Sequence, residues 1–221
     1  MGSSDSFISR LLPGLLLVTV AVAGWWMFMR GGENHALPQL PAGVLAVPSS
    51  AGPDLLQPSQ IGAAYVQSAD QTRKTTDAEI RLGQSAAALQ VINASWKGGA
   101  WAGWSQSNGS ITALSRAEVF TVSGLSSVSK GFEKRAIHAY DGKVTALPSN
   151  VPGDGGWFVT GTTISPIYSS LFPPRRQVAV YGWQHGNVLA VIVVTGLPKD
   201  NVGEIAATLA RAQDQNIGYA G

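Results

Sequence analysis

Between Arg10 and Arg30 the chain runs for nineteen residues, Leu11 to Met29, without a charge. At the rise of an α-helix this run spans about 28 Å, close to the depth of a bilayer's hydrocarbon core. In lipid only a helix satisfies its own backbone polar groups, so the run predicts a single transmembrane helix. Pro13 falls in the first turn, where its missing N–H has no partner to lose. Trp25 and Trp26 stand near the far end, where amphipathic rings favour the membrane interface, and are the expected membrane-contact residues. Gly14, Ala21, Ala23 and Gly24 would let other helices approach closely.

The alternative is a cleaved signal peptide, because Ala21-Val22-Ala23 has the small-x-small pattern of a cleavage site. The apolar run continues past that site through Trp25-Trp26-Met27-Phe28-Met29, which favours an uncleaved anchor. With one basic residue on each immediate flank, the charge rule for orientation has little to count. The usual signal-anchor arrangement sets the expectation: a cytoplasmic tail at 1–10, a transmembrane helix at 11–30, a linker at 31–54 and an extracytoplasmic domain at 55–221. The expected location is therefore the inner or plasma membrane, single-pass, with the C-terminal domain periplasmic.

Pro38, Pro41, Pro48, Pro53 and Pro58 punctuate the Gly/Ala/Ser-rich stretch after the helix, giving an extended, semi-rigid segment. It reads as a passive tether or as an arm laid along a partner subunit. The remaining residues suffice for one domain with a real core. Charged residues are 13% of the chain, against a typical quarter, and no Lys/Arg run exceeds two residues. Nucleic-acid binding needs a concentrated basic field, so nucleic acid is not expected as a partner. With 0 cysteines, disulfides, thiolate metal sites, a cysteine nucleophile and a lipidated Cys are excluded.

Within the domain, Ala63–Ser68 reads as a short strand and Asp77–Ile92 as one helix with Asp77 at its N-cap. Ala100–Gln106 and Ser110–Val122 read as strands joined by the turn former Asn108-Gly109. In the second, Leu114, Arg116, Glu118 and Phe120 alternate with Ala113, Ser115, Ala117 and Val119, which suits a strand with one wet face. A helix capped by Ser123 should reach about His138, burying a stripe of Leu125, Val128, Phe132, Ala136 and Tyr140. Lys143–Leu147 and Trp157–Ile164 are further strands, separated by the loop Ser149–Gly156. Gln177–Gln184 and Asn187–Thr195 form a hairpin turning at His185-Gly186, and the nearly all-apolar Val188–Val194 should be central and covered on both faces. A last helix, Asn201 to about Gln215, would be capped by Asp200 and bury Val202, Ile205, Ala206 and Leu209. Gly218 should end it. The fold class expected is α+β: a mostly antiparallel sheet with two or three helices on one face.

No catalytic motif is present. His35, His138 and His185 have no second His or carboxylate at metal-ligand spacing, and there is no G-x-S-x-G elbow, P-loop or G-x-G-x-x-G. Gly153-Asp154-Gly155-Gly156 lacks the following Lys-Ser/Thr of a phosphate cradle and reads as a tight turn. Glu118, Asp141 and Asp154 make no recognisable dyad or calcium loop. No catalytic residue, cofactor or metal is therefore expected. Trp96, Trp101 and Trp104 stand out as three indoles within nine residues. In a strand Trp101 and Trp104 point to opposite faces, so one of the group could be an exposed interface anchor while others fill the core.

Tyr181, Trp183, Gly186, Asn187 and Val188, then Gly196, Ala206, Leu209, Ala210, Gln213, Asp214 and Ile217, carry a packing pattern, and Leu55–Tyr65 adds to it. In these residues the chain resembles small extracytoplasmic bacterial membrane-anchored and lipoprotein-like α+β proteins of unassigned function. The resemblance brings no catalytic residues, and this chain departs from it in lacking a lipidated Cys. The first function expected is a non-catalytic accessory subunit of a larger bacterial membrane complex, respiratory or photosynthetic by type. Its partners would be other membrane subunits and the lipid bilayer. The second is a membrane-tethered ligand-binding or sensor module of the cell envelope, with a pocket between sheet and helices.

Overall fold

The computed structural model describes residues 54–67, 72–107, 110–148, 152, 154–163 and 175–217. The apolar run with Trp25 and Trp26, the linker up to Pro53, His35, the Asn108-Gly109 turn and Gly218 lie outside them. Among the described residues no helix is long and apolar enough to cross a membrane.

The domain is α+β. In chain order it runs α1 (Pro58–Ile61), β1 (Tyr65–Gln67), β2 (Arg73–Lys74), α2 (Asp77–Arg81), α3 (Ala86–Ser95), β3 (Trp96–Gln106) and β4 (Thr112–Phe120). It continues with α4 (Ser126–Ala139), β5 (Lys143–Thr145), β6 (Asp154–Thr162), β7 (Gln177–His185), β8 (Val188–Gly196) and α5 (Val202–Ile217). The strands form one sheet in the order β1-β3-β4-β8-β7-β6-β5, and β2 also pairs with β3. Every pairing among the described residues is antiparallel. Strand β8 lies in the middle, as its apolar run predicts, with Leu189, Ala190 and Ile192 fully buried.

Helices cover both faces of this sheet, which corrects the one-face expectation. Side-chain alternation divides the core. Ala113, Ala117 and Val119 of β4, with Tyr181 and Trp183 of β7, pack with Val202, Ala206, Leu209 and Ala210 of α5. Val178, Val180, Leu189 and Val191 face the other way and pack with Ile92 of α3 and Val128, Phe132 and Ala136 of α4. Strand β4 accordingly has no wet face: Arg116 is 3% and Glu118 0% exposed.

Several boundaries differ from the sequence reading: β3 starts at Trp96 and β6 at Asp154, inside the expected loop, and others differ for local reasons. The helix expected over Asp77–Ile92 is two helices, because Gly83 takes φ +64 and turns the chain between them. Its cap is Thr76, whose hydroxyl accepts from Glu79 N while the Glu79 carboxylate accepts from Thr76 N, a capping box. Helix α4 begins at Ser126 after Leu125, not behind a Ser123 cap. At α5 the Asn201 side chain accepts from Glu204 N, whereas Asp200 accepts from Leu197 N in the preceding turn. The β7–β8 turn falls at Gly186-Asn187, with Gly186 at φ +57.

A neutral hydrogen-bond chain fastens the start of the domain to α5. Leu56 N donates to Ser115 Oγ at 3.0 Å, and Ser115 donates to Gln213 Oε1 at 2.8 Å. Gln213 Nε2 closes the chain on Arg116 O at 3.0 Å. Beside it, Asn216 donates to Leu55 O at 2.7 Å. Gln213 is fully buried, so Gln213→Ala would leave buried polar groups unmet and open a void. We expect a loss of about 2–4 kcal/mol, read from urea unfolding.

Candidate functional site: a buried arginine–glutamate cluster

Cross-strand register places Arg73 of β2 opposite Trp101 of β3, and Trp101 opposite Arg116 of β4. Residues in register share a face, so all three stand on the side covered by α3 and α4. Two residues along, Glu118 faces Gly99. A Cβ at Gly99 would lie 1.8 Å from Glu118 Oε2, so the glycine gives the carboxylate room to lie across β3. There Glu118 Oε1 accepts from Arg116 Nε at 2.6 Å and from Thr75 Oγ1 at 2.8 Å, and Oε2 accepts from Trp96 Nε1 at 2.8 Å.

A second carboxylate sits beside it. Glu79, 3% exposed, accepts from Arg73 Nη2 on Oε1 and from Thr76 N on Oε2 at 2.7 Å. Arg135 of α4 donates to Glu79 O at 3.0 Å. Aromatic rings support the guanidiniums: Arg73 lies 4.6 Å from the centre of Trp101, and Arg116 and Arg135 lie 4.8 and 4.0 Å from that of Phe132. Burial, reinforced by the like charge of Arg116 and partly offset by Glu118, pulls Arg135 down to about 9.

Arg73 and Arg116 thus each bond one carboxylate, and Arg135 bonds the Glu79 backbone carbonyl beside them. All four carboxylate oxygens are engaged, while Arg116 Nη2 and Arg73 Nε are buried with no acceptor among the described residues. Arg73 forms the rim, its side chain 41% exposed, while that of Arg116 is 4% exposed. Such a cluster can receive a negatively charged group; nothing in it forms a nucleophile–base pair.

The indoles expected at an interface are mostly internal. Trp104 is 2% and Trp101 8% exposed, which corrects the expectation that one of that strand pair is a surface anchor. Trp104 packs on the α5 side, and Trp101 carries Arg73 on the other. Trp96 is half-buried, donating to Glu118.

The fold also assembles groups that are distant in sequence. His185 Nδ1 lies 2.9 Å from Asp214 Oδ1, which accepts from Trp183 Nε1 at 2.8 Å. Twenty-nine residues separate His185 from Asp214, so no spacing rule could pair them. Burial and Asp214 push the Tyr181 hydroxyl up to about 12. Among the described residues no group of three His, Cys, Asp or Glu could hold a metal ion. Asp54 is fully buried with neither oxygen partnered among the described residues, and burial pushes it up to about 6.

No family model matches this sequence, and no curated protein matches it. Among solved structures it is similar to the extracellular domain of PknH from Mycobacterium tuberculosis, with 14% identity and a TM-score of 0.43. The match covers 79% of this chain and 100% of that one.

Two measurements test the electrostatics. Glu118→Gln strips the charge that offsets Arg116 and should cost about 3–5 kcal/mol of unfolding free energy, whereas the double variant R116M/E118M should recover most of it. Asp54 has a folded-state value above its ordinary 3.8, so its contribution to stability is fully present below 3.8 and lost as pH rises through about 6. Asp54→Asn should remove that slope and gain about 2–3 kcal/mol at neutral pH over the wild type, measured by urea unfolding across the pH range.

Proposed function

We propose that this chain is a non-catalytic, membrane-tethered binding or sensor module of the bacterial cell envelope, with its α+β domain on the extracytoplasmic side. The uncharged run Leu11–Met29 and the proline-rich stretch after it support tethering. The observation that carries the binding reading is the arginine cluster between β2–β4 and α2–α4, where buried guanidinium donors have no acceptor among the described residues. Burying such donors unmet is unfavourable, and a ligand that meets them recovers that free energy on binding. The accessory-subunit reading counted on an exposed indole for local contact, and the burial of Trp101 and Trp104 removes two of its three candidates.

Deleting Met1–Arg30 should release a soluble, folded domain, because the core begins at Leu55 and Leu56, 1% and 2% exposed. Fractionation and circular dichroism check this. A periplasm-dependent phosphatase fused after Gly221 should be active, and its inactivity would overturn the orientation. Native purification that finds the full chain only within a stoichiometric membrane complex would replace this reading with the subunit one.

A further inference from the structure

We propose that the entry to the domain, Asp54 to Leu56, is a proton-dependent latch. With the Asp54 carboxyl protonated the entry stays locked against α5; with the carboxyl ionised it opens locally while the sheet stays folded. This is independent of the binding reading and concerns the point where the chain enters the domain. Asp54 is 0% exposed, and neither of its oxygens has a partner among the described residues. The other buried carboxylates, Glu79 and Glu118, have both oxygens bonded. An ionised carboxylate with no donor in an apolar place gives up its charge or moves to water.

The residues next to Asp54 form the lock, and it is small. Leu55 O accepts from Asn216 Nδ2 at 2.7 Å and from Gln57 Nε2 at 2.9 Å, and Leu56 N donates to Ser115 Oγ at 3.0 Å. The side chains of Leu55 and Leu56 belong to the core on the α5 side. Freeing them breaks no strand pairing, so opening here exposes far less surface than unfolding does. The groups that bond the entry, Gln57, Ser115 and Asn216, are neutral. Asp200, Glu204, Arg211 and Asp214, on α5 and its leading turn, bond to other groups. Tyr65 and Tyr181 of that core face are kept uncharged, since burial pushes both hydroxyls up. Burial, with no neighbouring charge, pushes Asp54 from its ordinary 3.8 up to about 6. The closed form is therefore the one that favours the proton: the latch holds fully below 3.8 and loosens as pH rises through about 6.

The test is residue-resolved amide hydrogen exchange on the full chain in detergent micelles, from about pH 4 to about pH 7.5, at urea concentrations below the unfolding transition. After correction for intrinsic exchange, protection of the Leu56 amide should fall about a hundredfold over that range, the factor set by the rise from 3.8 to about 6. Near neutral pH the Leu56 amide should exchange faster than that of Ile192 in β8 and respond little to urea, because a local opening exposes little surface. In Asp54→Asn, Leu56 protection should stay level across the pH range; Asp54→Ala serves if that variant does not fold, and its profile should be equally flat. The same fall in protection in wild type and variant overturns the latch. So does exchange of Leu56 and Ile192 with one opening free energy and one urea dependence at every pH, since Asp54 would then act only through global unfolding.

Discussion

The Arg116–Glu118 pair is the constraint on which one half of the domain depends. Both residues belong to β4, inside an eight-stranded sheet, and both are withdrawn from water. An ionised group there is tolerated only with good partners, so the surroundings are arranged around them. Gly99 clears the space across β3, Thr75 and Trp96 close the carboxylate, and Phe132 of α4 lies against the guanidinium. In this way β2, the start of β3 and α4 are all referred to two side chains. The pair also fixes register, because a one-residue slip of β4 would turn both charges toward the α5 face. The polar chain on that face, from Leu56 through Ser115 to Gln213, is neutral.

The consecutive residues Ser115 and Arg116 join the two faces. Ser115 points to α5 and anchors Leu56, while Arg116 points to α4 and holds Glu118. Gln213 reaches through to the Arg116 carbonyl, so the helix on one face bonds to the backbone of the residue that organises the other. The point where the chain enters the domain, at Leu55 and Leu56, is thus one short bonded path from the charged cluster. That path runs through backbone and fully buried groups, which transmit displacement because packed interiors are dense.

How far the sequence told this in advance depends on what each segment had to reveal. The β7–β8 hairpin and the α4 stripe were legible because their side chains meet the interior with a regular period. Arg116 and Glu118 were misread as a wet face, since alternation of charged and apolar residues is also what a half-exposed strand shows. The clue lay elsewhere: opposite charges two apart share a face, and Gly98-Gly99 in a paired strand leaves space beside them. The T-x-x-E of Thr76–Glu79 was a readable capping box, yet the apolar period ran on past Gly83 and hid the break. His185 with Asp214, and the arginine row across β2–β4, depend on topology alone and left no local trace.

Electrostatic balance decides between a purely structural cluster and one that serves a ligand. Replacing a buried ion pair with apolar residues of similar volume is commonly neutral or stabilising, so stability alone is a weak reason for such a pair. A network kept for geometry would close on itself: Arg116 with Glu118 and Arg73 with Glu79 already balance. Arg135 lies beside both pairs, bonded to the Glu79 backbone carbonyl. It brings a like charge over the ring that Arg116 also occupies, and its guanidinium is pulled down to about 9 by burial and by that neighbour. Donor edges at Arg116 and Arg73 stay unmet at the same time. Unmet guanidinium donors beside a half-exposed rim are what a closed structural pair would avoid and what a binding module can use.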